Sequence, residues 1–86
     1  MTESDETRRK RLLFRSWHRG MREADLVLGN FAARHLAGFD EDTLDRYELL
    51  LAEDDQDVWR WLTGAEEPPA KHAGIMGLVK SFRYET

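Results

Sequence analysis

Gly20, Gly38, Gly64 and the pair Pro68-Pro69 cut this chain into short segments, and within each segment the apolar residues recur at helical spacing. No stretch alternates apolar and polar residues as a half-buried strand requires, and β-branched residues are scarce. The pattern therefore predicts an all-α fold, a compact bundle of five short helices joined by short connections. The first helix is expected over about Glu6 to Trp17, with Leu13, Phe14 and Trp17 on its apolar stripe. The second is expected from Arg22 to about Leu36, with Ala24, Val27, Leu28, Phe31 and a partly buried His35 on one face. Asp40 or Asp42 is expected to cap a third helix through about Glu53, carrying Leu44, Tyr47, Leu50 and Leu51. A fourth, capped by Asp55, turns Val58, Trp59 and Leu62 inward; Trp61, on another side of that helix, is more exposed if Trp59 is buried, although packing against a neighbouring element is the favoured reading. The last, about Lys71 to Phe82, places Ile75, Leu78, Val79 and Phe82 at i, i+3, i+4 and i+7.

Eighty-six residues form a single domain, 1–86, with residues 1–6 read as a flexible tail. A chain of this size buries roughly 60–65% of its unfolded surface, so its core is small. It has no cysteine, which excludes a disulfide, a thiolate nucleophile and a zinc–sulfur site. Its longest apolar runs are a few residues, against about 20 for a membrane span. The acidic start, Met1 to Glu6, has neither an apolar signal core nor a basic transit pattern. The expectation is a soluble, cytoplasmic protein, or else a mature form already processed, with no membrane insertion and monomeric on its own.

The net charge of −4 conceals two opposed halves. Arg8 to Arg22 holds seven basic residues and no acid, while Asp40 to Asp57 holds nine acids and one arginine. A helical DNA-binding or regulatory module using Arg8–Arg22 is one reading of the basic half. The acidic half opposes it, and mutual attraction of the two halves is the simpler one. The three histidines, His18, His35 and His72, lack the spacing of a helical metal pair, so no metal site is expected. No glycine-rich phosphate loop follows a strand, and no nucleophile stands in a catalytic arrangement. Catalysis by this chain alone is not expected.

The segment Arg19-Gly20-Met21-Arg22-Glu23 falls where the basic helix stops and the next begins. It carries too much charge to bury cheaply. Gly20 suits a left-handed turn, Arg19 complements the end of the first helix, and Glu23 the start of the second. Such a turn also presents charge to a partner, with Arg15 and His18 beside it as further contact candidates.

Those five residues, followed by Ala24-Asp25-Leu26-Val27-Leu28, resemble the Arg-Gly-x-x-Glu-x-Asp motif of the FAD assembly factors of succinate dehydrogenase and fumarate reductase. Tyr47 to Gly64, with its acidic pair, tryptophans and glycine stop, is similar to that family's second block. The resemblance implies a five-helix protein that is not an enzyme. It implies binding to the flavoprotein subunit of succinate dehydrogenase or fumarate reductase, and help in attaching FAD covalently to a histidine of that subunit. FAD then belongs to the partner, and no cofactor is stably bound here. The implied partner-binding residues are Arg19, Gly20 and Glu23, with His18, Arg15 and Arg22 around them, and no nucleic acid is involved.

Overall fold

The computed structural model describes residues 3–85. Among them are five α-helices and no strand: α1 (Asp5–Trp17), α2 (Arg22–His35), α3 (Glu41–Leu51), α4 (Asp55–Thr63) and α5 (Ala70–Glu85). A single 3-10 turn, Leu36–Gly38, follows α2. The all-α bundle expected from the segment pattern is therefore observed. Helix α1 lies along α2 as a hairpin, while α5 packs on α3 and α2.

Local chemistry sets the helix starts. Ser4 accepts the Thr7 backbone N–H at 3.1 Å and begins α1, so part of the expected 1–6 tail is the cap and first turn of a helix. Met1 and Thr2 lie outside the described residues. Asp40 accepts the Thr43 N–H at 2.8 Å and begins α3. Each cap of this kind contributes about 1 kcal/mol. Asp54, not Asp55, occupies the cap position of α4, and α3 ends at Leu51, two residues short of Glu53.

Phe31 stands at the centre of the core, within 6 Å of the rings of Tyr47, Phe39 and Phe82. Leu28, Leu44, Leu50, Val58, Ile75 and Val79 close around it. The α3 stripe of Leu44, Tyr47, Leu50 and Leu51 is buried as expected. The α1 stripe is rotated from its expected phase: Leu12 and Ser16 are buried, and Phe14 is 65% exposed. The more deeply buried tryptophan of α4 is Trp61, which packs against a neighbouring element as the favoured reading has it. Trp61 is buried against the ring of His72, and Trp59 is half-buried beside the core. His35 is exposed, though its ring touches Phe31 and Phe82, and Leu78 is half-exposed.

Two buried polar contacts explain the α1 phase. Ser16 Oγ donates to the Leu12 carbonyl at 2.8 Å and shares a 2.6 Å contact with the Tyr47 hydroxyl, which also reaches the Leu28 carbonyl at 3.5 Å. Burial pushes the Tyr47 phenol up to about 12, with the Ser16 hydrogen bond and Arg19 acting in the opposite direction. A raised phenol stabilises the fold fully below its unfolded value of about 10. That contribution is lost as pH rises through the folded value. Tyr47→Phe should cost about 1 kcal/mol at neutral pH. It should also remove part of the alkaline loss of stability, read by denaturant titration at each pH.

Gly77 lies on the exposed side of α5, and a Cβ there would meet nothing within 4 Å. Gly77→Ala should raise stability by about 0.5–1 kcal/mol through helix propensity and a less flexible unfolded chain. Thermal denaturation checks it.

Candidate functional site: the α1–α2 corner

Residues 18–21 join α1 to α2. His18 closes α1, its N–H reaching the Arg15 carbonyl at 3.2 Å. Gly20 then adopts φ 101°, a conformation open to glycine and strained for other residues. Met21 precedes α2 in extended conformation and makes no side-chain cap bond. From the first turn of α2, Asp25 Oδ1 accepts the Arg19 backbone N–H at 2.9 Å and ties the helix to the chain that enters it. Glu23 and Asp25 in the first turn of α2 also suit the positive end of its dipole.

Arg19 was expected to present its charge to a partner, and it does the opposite. Its side chain is 2% exposed. Nε donates to Asp55 Oδ1 at 2.8 Å, Nη1 to the Leu51 carbonyl and Nη2 to the Glu53 carbonyl. These acceptors sit at the end of α3, in the following loop and at the start of α4. The last carbonyls of a helix lack partners within it, and a guanidinium is suited to supply several at once. Arg9 does the same elsewhere, donating to the Leu36 and Phe39 carbonyls around the 3-10 turn. Sequence reasoning missed Asp25 and Asp55. Asp25 lay inside the quoted motif, while Asp55 carried no local sign of its task.

With Arg19 internal, the remaining expected residues form the outer surface of the corner. Arg15, His18, Gly20, Arg22 and Glu23 are all exposed. Arg15, Arg22 and Glu23 have no ion pair among the described residues. The His18 ring stacks on Phe14 with centroids 4.1 Å apart, and His18 Nδ1 lies 2.8 Å from the Phe14 carbonyl. That contact assigns the proton to Nδ1 and orients the ring. Phe14 and the half-exposed Leu26 add apolar area at the same end of the hairpin.

The basic half is otherwise consumed inside the molecule. Arg8 pairs with Asp45 and Glu48, Arg9 with Asp5, Lys10 with Glu6, and Arg11 with Glu3 and Glu48. Arg11 and Arg8 hold the Glu48 carboxyl below its ordinary range, Arg11 more strongly. A lowered carboxyl stabilises the fold above its unfolded value and loses that contribution as pH falls through the folded one. The two charge halves thus attract each other across α1 and α3. Five of the seven basic residues of Arg8–Arg22 are paired, which leaves a DNA phosphate backbone little to engage.

Beside the corner, Arg11, Leu12, Arg15, Glu48, Leu51 and Ala52 line an open groove of about 170 Å³. Small-molecule sites are typically about 300–1,000 Å³. Among the described residues there is no cluster of His, Asp and Glu suited to a metal ion, and no helix long and apolar enough to cross a membrane.

The fold is a small helical bundle whose charged corner is held in place by Arg19. The family described as "Flavinator of succinate dehydrogenase" matches residues 10–83, and the chain belongs to that family. Its relatives include "Succinate dehydrogenase assembly factor 2, mitochondrial" of Debaryomyces hansenii, 46% identical over 61 residues, which cover 71% of this chain and 43% of the relative. The 2-A factor of Drosophila sechellia is 41% identical over 78 residues, covering 87% of this chain and 48% of its own. The assembly factor 2 of Drosophila grimshawi is 42% identical over 76 residues, covering 85% of this chain and 52% of its own. The chain spans about half the length of the curated relatives it matches. These relatives are named as mitochondrial, which overturns the cytoplasmic location expected from the acidic N-terminus.

Proposed function

We propose that this chain is an assembly factor that binds the flavoprotein subunit of succinate dehydrogenase and promotes covalent attachment of FAD to a histidine of that subunit. The observation that carries the reading is the corner itself. Arg15, Arg22 and Glu23 stand exposed and unpaired among the described residues, in a chain whose neighbouring cations are nearly all engaged. Side chains that contribute little to the fold are free to contribute to binding. The same reading extends to the flavoprotein subunit of fumarate reductase, which the family resemblance also implies.

The mechanism is a shift of population. Attachment requires a conformation of the flavoprotein in which its histidine meets the flavin. A partner that binds that conformation more tightly increases its share. A corner already fixed by hydrogen bonds loses little freedom on docking. The factor itself performs no catalysis and acts as a monomer, and FAD stays with the flavoprotein.

Glu23→Ala tests the surface. An exposed, unpaired carboxylate should change stability by no more than about 0.5 kcal/mol. Flavin incorporation into the flavoprotein subunit should nevertheless fall. A titration with random duplex DNA at low salt tests the rival reading, and steeply salt-sensitive binding would favour it.

A further inference from the structure

We infer that Asp55, together with Asp25, is a positioning residue for the partner-binding corner, acting through Arg19 to fix the path of the chain from Gly20 to Glu23. The inference rests on the proposed role of that corner. It assigns a task to the acidic block, whose sequence position lies far from the turn.

The corner has few restraints of its own. Met21 offers no side-chain cap, and within residues 18–21 the His18 N–H is tied only to Arg15. The order comes from the residue before Gly20. The main chain of Arg19 is held by Asp25 at 2.9 Å. Its side chain is held by Asp55 at 2.8 Å and by the Leu51 and Glu53 carbonyls. With both ends of Arg19 fixed and Gly20 at φ 101°, the entry into α2 is set.

Asp55 also faces Gly20 directly. One carboxylate oxygen bonds Arg19, and the other would lie 3.7 Å from a Cβ built on Gly20. The start of α4 is thus a floor beneath the turn. It also offsets the charge of Arg19, so the positive charge left for a partner is that of Arg15 and Arg22. Arg19 and Asp55 shape the surface, and Gly20 to Glu23 form it.

The test is the affinity of the full chain for the succinate dehydrogenase flavoprotein subunit. It is measured by calorimetry at a temperature where circular dichroism shows every variant folded. Asp55→Ala should weaken binding roughly fivefold to tenfold, within the span of coupling between residues sharing a network. Asp55→Asn, which still accepts the Arg19 N–H, should recover most of it. In the double variant Glu23→Ala/Asp55→Ala, the loss should be smaller than the product of the two single losses, because a displaced corner no longer presents Glu23. A merely structural aspartate would not produce that coupling. Wild-type affinity of Asp55→Ala, or losses that simply multiply, while Glu23→Ala weakens binding, would overturn the inference and leave the proposed function standing. Wild-type affinity of both single variants would overturn the proposed function and the inference with it. Should Asp55→Ala not fold, Arg19→Lys takes its place. It keeps the charge but not the fork that reaches three acceptors, and the same loss or its absence decides.

Discussion

Arg19→Ala should destabilise this protein by about 2–3 kcal/mol, the cost of losing charge-assisted hydrogen bonds from a buried guanidinium to a partly exposed carboxylate and two carbonyls. The substitution leaves the Asp55 carboxylate without its donor and strips the Leu51 and Glu53 carbonyls of theirs. A charged residue in a surface turn would give a change within about 0.5 kcal/mol. The two descriptions of Arg19, anchor or displayed charge, therefore differ several-fold in a single urea titration. Arg22→Ala, three residues on, is the matched control. Its side chain is exposed and makes no ion pair among the described residues, so its stability should be unchanged.

Gly29→Ala is the second large effect, and its sign is informative. Gly29 is buried in the middle of α2, and propensity alone would make alanine stabilising by about 1 kcal/mol there. A Cβ at that position would instead fall 2.2 Å from the Trp17 ring. The Trp17 indole fills the space that glycine leaves, so α1 and α2 approach closely there. Adding the methyl group forces the ring out or the helices apart. A net destabilisation of about 1–3 kcal/mol is expected, with a change in tryptophan fluorescence as Trp17 moves. Gly77→Ala, equally helical but open around its Cβ, should change stability in the opposite direction.

The helices were largely legible because their determinants are local. Glycine and proline breaks, caps such as Asp40 and the α3 stripe from Leu44 to Leu51 are all read within a few residues. The phase of α1 was not. Leu12, Leu13 and Phe14 are consecutive, so two stripes fit the same pattern, and the choice depends on Ser16 meeting Tyr47, 31 residues away. The tryptophans were legible in part: Trp61 packs against a neighbouring element, as favoured, but is buried more deeply than Trp59. Trp59 and Trp61 point to opposite sides of α4, and only α5, through His72, selects Trp61 for burial. The corner was located by its charge and its resemblance to a known motif, yet its arginine was given the wrong task. A guanidinium in a turn looks solvated until its acceptors are known. Here they come from residues 32 to 36 positions further along the chain. What sequence could show was which residues are unusual. Which of them face outward required the fold.

The division between anchor and surface also gives the motif a physical order. Gly20 permits the turn, Arg19 secures it to α3 and α4, and Glu23 stands on the outside with Arg15, His18 and Arg22. Loss of Arg19 should therefore reduce stability and binding together, whereas loss of Glu23 should reduce binding alone.

The most direct measurement is covalent flavin in the succinate dehydrogenase flavoprotein subunit. The apo-subunit is incubated with FAD and this chain, then resolved on a denaturing gel and read by in-gel fluorescence. The wild-type chain should raise the bound flavin well above the level without it. Glu23→Ala, with unchanged circular dichroism and melting temperature, should not. Equal flavin attachment with wild type and Glu23→Ala, or no gain with wild type, would contradict the assignment of the corner as the working surface.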